Sequence, residues 1–562
     1  MTKDPKRPKK VLTQEFEKIQ EISKNTESRR PLPGVETGME EYGSENVPKK
    51  QDEEPLYKSY AAVLHNKEKH RFHWQTGEMR SLFGDVGFDR RNTIMDNLVE
   101  SSLTETSFKG AGWGKLQREK EIEAVPAGAD PERVFFNFSG FYVLFWMIVA
   151  FIVLRVGVDY YISHNGDLSQ SEILRFMTTD LISVAMIDLV MYLCTYFVVF
   201  VQLACKHKWI TWNNLGWYLT SAFEVTFVLV FLYVAENVMK FHWVAKIFLF
   251  LHSLVLLMKM HSFAFYNGYL WNITAELDFS KKTLAKYKDY TLEKGFKEAL
   301  EKSVEFCEFE LSLQSPNLKF PDNLTLKGYF TYSMFPTVVY QIEYPRTEKI
   351  RWMYVFEKLC AIFGVIFVMM IVAQFFMYPI AMRAMAVRDA GMPIFWERIR
   401  EWLYLLLKLV PSFIMMYLLV WYLIWDAILN CIAELTRFGD RYFYGDWWNC
   451  VSWDEFSRQW NVPVHQFLLR HVYHSSISFL QLNKTQATLM TFFLSSVVHE
   501  LAMYVLFQKL RFYLFFLQMA QIPLVQLGNS RFLKDKKILG NAIFWIGICT
   551  GPSLMCTLYL TF

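Results

Sequence analysis

The sequence predicts an all-α polytopic membrane protein, with about nine transmembrane helices behind a polar N-terminal region. Three observations predict it. The chain is 53% hydrophobic and only 20% charged, whereas soluble domains run to roughly 45–50% and about 25%. Its mean hydropathy is nonetheless only +0.14, so a very apolar part is averaged with a very polar one. The apolar residues also gather into long runs from Phe135 onward, each near the ~20 residues that a helix needs to cross a bilayer. This composition excludes disordered, collagen-like and disulfide-stapled classes. A net charge of +4 gives no ground for a nucleic-acid partner.

Residues 1–133 are charged and turn-rich, with a basic run from Lys6 to Lys10 and no apolar signal core, and they read as a solvated, largely disordered cytosolic region. Within them, Trp74 to Leu98 has enough apolar side chains to dock on something. Residues 134–562 form the membrane-embedded domain. Its expected spans are Phe138 to Val158, Thr179 to Ala204, Leu215 to Ala235, Trp243 to Phe265, Val355 to Pro379, Trp402 to Trp425, Thr488 to Phe507, Leu510 to Leu527 and Asn541 to Leu560. The seventh and eighth nearly touch, which requires a tight turn at Gln508 to Arg511. A cytosolic N-terminus makes the loops at about 267–354 and 426–487 cytosolic. The lysines from Lys281 to Lys302 agree with that orientation, and Arg383, Arg388, Arg398 and Arg400 of the fifth loop argue against it. The eight cysteines show no CxxC pair and read as small apolar side chains. Cys549 and Cys556 lie about 10 Å apart along a continuous helix, beyond disulfide reach unless the helix breaks near Pro552.

Chemistry is expected in two places. The loop at 426–487 holds Arg437, Arg441, Arg470, Asp446 and several tryptophans. It reads equally as an interfacial aromatic belt and as the rim of a pocket. The seventh span places His499 and Glu500 in the middle of an apolar run, a costly position that by default faces an internal cavity. Thr488, Thr491, Ser495 and His499 recur at three and four residues, giving one polar stripe on that helix. A histidine that ties two helices together and a histidine on the wall of a wet tunnel are then equally good readings. Asp188, Glu224, Glu236 and Asp426, in or near other spans, are expected to pair with neighbouring helices. His465, His471 and His474 match no common ligand spacing, so no metal is expected. No Walker loop, GxSxG elbow or HExxH motif occurs.

The string Phe443-Tyr444-Gly445-Asp446-Trp447-Trp448-Asn449 resembles the FYxDWWN motif of membrane-bound O-acyltransferases. Trp460-Asn461 and His499-Glu500 resemble that family's active-site pairs, and the likeness runs from about Phe135 to Phe562. The flanks RFGDR (Arg437 to Arg441), YPRTEKIRW (Tyr344 to Trp352) and MKMHSFAFYNGYL (Met258 to Leu270) are similar to sterol O-acyltransferases, fungal ones above all. Pro463, in WNVPVH, is a form that diacylglycerol enzymes also favour. The resemblance implies that family's fold, acyl-CoA as co-substrate with no cofactor, a membrane sterol as acceptor, and residence in the endoplasmic reticulum membrane as a homodimer or dimer of dimers. It implies His499 as general base and Asn461 as its catalytic companion. Tyr444, Asp446, Trp447, Trp448, Asn449, Trp460, Arg437, Arg441, Ser495 and Glu500 are then expected to line or brace the substrate site, Asp446 through a pair with Arg441. No Cys or Ser beside His499 is an obvious acyl carrier, which favours direct transfer in a ternary complex. The alternatives are a diacylglycerol O-acyltransferase or, in a different class, a transporter using His499 as a proton relay.

Overall fold

The computed structural model describes residues 139–562, apart from 164, 167–171, 287–293, 314–317, 392–395, 479, 481 and 529–535. It also describes a two-strand ribbon pairing Phe72 with Met79 and His73 with Glu78. The basic run Lys6 to Lys10 and most of the Trp74 to Leu98 stretch lie outside the described residues.

Apolar runs must become helices here, because hydrocarbon offers no partner for backbone N–H and C=O groups and a helix satisfies them internally. In chain order the helices are α1 (Ser139–Ser163), α2 (Glu172–Thr178), α3 (Leu181–Lys206), α4 (Trp212–Val238), α5 (Trp243–Lys286), α6 (Lys294–Leu313) and α7 (Leu326–Met334). They continue with α8 (Trp352–Asp389), α9 (Trp396–Leu435), α10 (Trp453–Gln459), α11 (Val462–Phe467), α12 (Lys484–Phe507), α13 (Tyr513–Met519), α14 (Gln521–Gly528) and α15 (Lys537–Thr561).

Among the described residues, seven helices are long and apolar enough to cross a membrane: α3, α4, α5, α8, α9, α12 and α15. The 25-residue α1 coincides with the first expected span. The eighth expected span is corrected: it is two short helices, α13 and α14, meeting at Ala520. Pro523 has no N–H for the carbonyl one turn back, so a single helix is not held together there. The chain still returns across the domain in this stretch. Phe507 stacks on Tyr559 at 5.0 Å at one end of α12 and α15, while Gly528 and Gly540 lie against Ser452 and Val451 at the other end of α15.

Other boundaries move outward. α5 runs to Lys286, so the loop expected from 267 opens as a helix and folds back on itself through α6, with Phe306 and Cys307 packed on Ile273. α9 absorbs Pro411 and a widened π turn at Tyr422–Ile428 without ending. α15 likewise continues through Pro552, and all eight cysteines are free thiols.

The intramembrane carboxylates find partners on neighbouring helices. Asp188 meets His252 at 2.5 Å, Glu224 meets His261 at 2.9 Å, Glu236 meets Lys246 at 2.6 Å, and Asp426 meets Lys358 at 2.5 Å. Buried charges are tolerated when paired in this way. Lys259, in the middle of α5, donates to the carbonyls of Ser333 and Phe335 at 3.0 and 2.6 Å, and so draws the 333–344 segment onto the helix. There Tyr329, Tyr332 and Tyr340 pack edge-on around Phe263 and one another. Asn323, in a glycosylation sequon, is buried and donates to Asn267 and the Tyr340 hydroxyl.

α4 meets α5 at a position that only glycine allows. A Cβ on Gly268 would lie 2.1 Å from the Trp212 ring, well inside van der Waals contact. Gly268→Ala is therefore expected to destabilise the domain by about 1–3 kcal/mol through overpacking. A lowered melting temperature of the detergent-purified protein checks it; a melt matching the parent would show that the α4–α5 contact is not tight.

Candidate active site

α12 is started by its own sequence. Asn483 accepts from the Gln486 backbone N–H at 2.9 Å and Gln486 reaches back to the Asn483 N–H at 3.1 Å, a reciprocal capping box. Fifteen residues on, roughly 22 Å along the helix, stands His499, whose side chain is exposed rather than sealed in the core. Its Nδ1 lies 2.7 Å from the Ser495 carbonyl and 3.4 Å from the Ser495 hydroxyl. A carbonyl only accepts, so this contact places a proton on Nδ1, and in the neutral ring the lone pair is then on Nε2. Thr488 and Thr491 turn their hydroxyls back to the Lys484 and Ala487 carbonyls, so only the Ser495–His499 part of the expected stripe offers polar groups outward.

Glu500 is corrected from a substrate contact to a structural clamp. It is 3% exposed, and its carboxylate accepts from the N–H groups of Arg511, Phe512 and Phe515 at 3.3, 2.6 and 3.1 Å. The Tyr559 hydroxyl lies 2.8 Å from both of its oxygens. The turn it holds contains Gln508 at φ 54° and Phe512 at φ 62°, left-handed conformations that cost a side-chain-bearing residue about 1–2 kcal/mol each. Adjacent residues of a helix point about 100° apart, so Glu500 facing α13 and α15 turns His499 to a different side. Arg511 also donates to the Leu558 and Tyr559 carbonyls, which ties the last turn of α15 to the same clamp.

Asn461 is the N-cap of α11, its Oδ1 accepting from the Val464 N–H at 3.3 Å. The aromatic motif folds inward. Trp447 is 1% exposed, so it braces rather than contacts. It packs on Tyr417 and Trp421 of α9, on Phe456, and on Trp545 of α15. Trp448 is partly open and its carbonyl accepts from Asn541 and Trp545. Trp460 lies between Trp425, Phe456 and Tyr417. Tyr444 donates to Asp426 at 3.2 Å and so joins the Asp426–Lys358 pair.

The arginines are partly reassigned. Arg441 pairs with Glu434 at 2.6 Å, not with Asp446, because Glu434 at the end of α9 faces it while Asp446 and Asn449 are exposed at the turn. Arg470 is buried and donates to the Tyr340 carbonyl at 2.8 Å, away from any rim. Arg437 stays exposed, with its Nε on the Thr347 carbonyl. Among the described residues no hydrogen bond joins the motif to His499. The connection runs through the π turn Leu468–Tyr473, which follows α11 and packs on α12. Glu434, Lys358 and Tyr559 escape a reading of the sequence; a lysine inside the apolar run of α8 is the one signal that marks a hidden ion pair there.

A histidine on a membrane-spanning helix, with Nδ1 held by a backbone carbonyl and the helix packed on the turn that follows Asn461's helix, suits proton transfer in acyl exchange. The family comparison agrees with that class: residues 159–561 match the membrane-bound O-acyltransferase family, and the chain belongs to that family. It is 54% identical to "Sterol O-acyltransferase 2" of Saccharomyces cerevisiae, over 94% of this chain and 89% of that protein. It is 46% identical to "Sterol O-acyltransferase 1" of the same organism, over 98% and 94%. A "Diacylglycerol O-acyltransferase 1" of Dictyostelium discoideum is 33% identical, over 43% and 37%.

Removing the Tyr559 hydroxyl deletes a donor to a buried carboxylate, worth about 1.5–3 kcal/mol. Tyr559→Phe is thus expected to lower the melting temperature, and Glu500→Ala to lower it further by leaving three N–H groups unsatisfied. Thermal melts of the purified variants check this; equal stability of all three proteins would remove the clamp.

Proposed function

We propose that the chain is an acyl-CoA-dependent sterol O-acyltransferase that moves a long-chain fatty acyl group onto the 3-hydroxyl of an ergosterol-like sterol. The observation that carries the mechanism is the 2.7 Å contact of His499 Nδ1 with the Ser495 carbonyl, which leaves Nε2 as the basic nitrogen of the neutral ring. The sterol oxygen attacks the thioester carbonyl carbon while Nε2 takes the hydroxyl proton. The tetrahedral intermediate then expels the CoA sulfur, which takes the proton back from Nε2, giving steryl ester and CoA. Nothing is oxidised, no covalent acyl-enzyme forms, and acyl-CoA is consumed as a co-substrate. Asn461 has an amide N–H₂ not used by its cap, and it is the donor for the developing oxyanion.

The sterol acceptor rests on the relatives. Two proteins named for sterol acylation match nearly the whole chain, whereas the diacylglycerol enzyme matches less than half of it. CoA is soluble and anionic, so its phosphates approach from the side bearing the 436–483 segment, with Arg437 at that surface. Tyr444, Trp448 and Trp460 support the mouth there, and the sterol arrives from the bilayer. An endoplasmic reticulum membrane, a cytosolic N-terminus and a homodimer or dimer of dimers complete the reading.

Membranes containing the expressed protein, supplied with labelled acyl-CoA and either ergosterol or diacylglycerol, test the acceptor. Steryl ester is the expected main product, and triacylglycerol as the main product would sink the sterol reading. His499→Ala is expected to lower turnover about 10²–10⁴-fold at an unchanged protein level, while undiminished esterification would remove His499 from the chemistry.

A further inference from the structure

Two arginines at the membrane-facing edge of the site loop are held together without a counter-charge. Arg346 pairs with Phe438 in an isolated antiparallel bridge. Around it the Thr347 N–H donates to the Arg437 carbonyl at 3.0 Å and the Gly439 N–H to the Pro345 carbonyl at 2.8 Å. Gly439 is required for this approach, since a Cβ there would lie 2.9 Å from the Pro345 oxygen. The bridge sets Arg346 and Arg437 on facing segments, one residue out of register, near enough for each charge to act on the other.

Each guanidinium is fixed by something other than a carboxylate. Arg437 Nε donates to the Thr347 carbonyl at 2.8 Å, and Arg346 stands over the buried Phe335 ring at 5.0 Å. Among the described residues neither makes an ion pair, while the neighbouring Arg351 and Arg441 are both taken by Glu434. The acidic residues nearest in sequence are Glu343, Glu348, Glu434 and Asp440, and the segments 343–351 and 434–441 together still keep a small excess of cations. Partial burial, and then the positive charge of Arg437, press the Arg346 guanidinium below its ordinary value. Arg437 moreover lies two residues past the end of α9, after the cap residue Thr436, at φ 57°, where glycine is the undemanding choice.

Depth narrows the ligand. Six residues past Arg346 the apolar α8 begins with Trp352, Met353 and Phe356, which are 67%, 78% and 62% exposed, as in an aromatic collar at the lipid–water boundary. The Arg351–Glu434 pair joins the start of α8 to the end of α9, so the two arginines lie on the same side as the loop carrying Asn461.

We propose that Arg346 and Arg437 form a phosphate-binding site at headgroup depth beside the active-site loop. Two forked guanidinia suit the oxygens of one phosphate group. That phosphate has two sources, the CoA moiety of acyl-CoA or the head of an anionic phospholipid. The first arm rests on the function proposed above and adds Arg346 to it; the second does not.

The full chain is reconstituted in nanodiscs on a His499→Ala background, so that acyl-CoA binds without turning over and the catalytic reading is not at stake. In phosphatidylcholine discs, the Arg346→Gln, Arg437→Gln double variant is expected to bind oleoyl-CoA about tenfold more weakly if CoA is the source, with the gap closing at high salt. If phospholipid is the source, oleoyl-CoA affinity stays unchanged, and native mass spectrometry shows phosphatidylinositol retained by the parent and lost from the double variant. The Arg388→Gln, Arg400→Gln double variant, at the last turn of α8 and near the start of α9, serves as a charge-matched control expected to change neither readout. Arg346→Gln alone leaves the Arg437–Thr347 bond intact and is expected to show a smaller loss in the same readout, which guards against a folding defect. A double variant that keeps both parental oleoyl-CoA affinity and phosphatidylinositol retention overturns the site.

Discussion

The buried carboxylate of Glu500 is the point on which this architecture turns. An isolated carboxylate inside a membrane domain is strongly unfavourable, and it is accommodated here by three backbone N–H groups and the Tyr559 hydroxyl. Those donors come from three separate pieces of chain: the turn after α12, the first turn of α13, and the end of α15. One side chain therefore fixes the rotation of α12, the reversal into α13 and the docking of the final helix. His499 is its neighbour in sequence, and the rotation that satisfies Glu500 sets the direction in which His499 points. His499 is thus positioned by a bond network that it does not itself join.

The same logic recurs around the domain. Asp188–His252, Glu224–His261 and Asp426–Lys358 each link two spans, and Tyr444 extends the last of these to the aromatic motif. In hydrocarbon, apolar side chains discriminate poorly between neighbouring helices and lipid, so packing and polar contacts must specify register. The motif residues belong to this second system. Trp447 lies inside an aromatic core shared by α9, α10 and α15, which makes the motif a brace under the site loop.

How much of this is legible in sequence follows from what each signal measures. Apolar run length identifies helices well, because in lipid no other structure satisfies the backbone. It locates their ends poorly: α5 continues past Phe265 to Lys286 because a polar extension can remain helical by packing on α6. It also counts the α13–α14 stretch as one span, since hydropathy does not register the N–H missing at Pro523. For the site, the polar spacing marks His499 because residues recurring at three and four positions share one face of the helix, which a lone buried histidine does not require. Spacing says nothing of the partner, so Glu500 reads as a site residue although its bonds go to Phe512, Phe515 and Tyr559. Arg441 is the converse case: its partner, Glu434, lies at the end of a span, where a charge looks unremarkable.

The central claim is that the Glu500 clamp presents the proposed base, His499 Nε2, to the acceptor hydroxyl and the leaving sulfur at the thioester. A cryo-electron microscopy structure of the full chain with a non-hydrolysable thioether analogue of acyl-CoA tests it most directly. The account predicts the analogue's sulfur and the first carbon of its chain within about 3–4 Å of His499 Nε2, with Glu500 still bonded to Tyr559. An analogue seated with its sulfur on another residue, or a Glu500 that has left Tyr559 to meet the ligand, would contradict it.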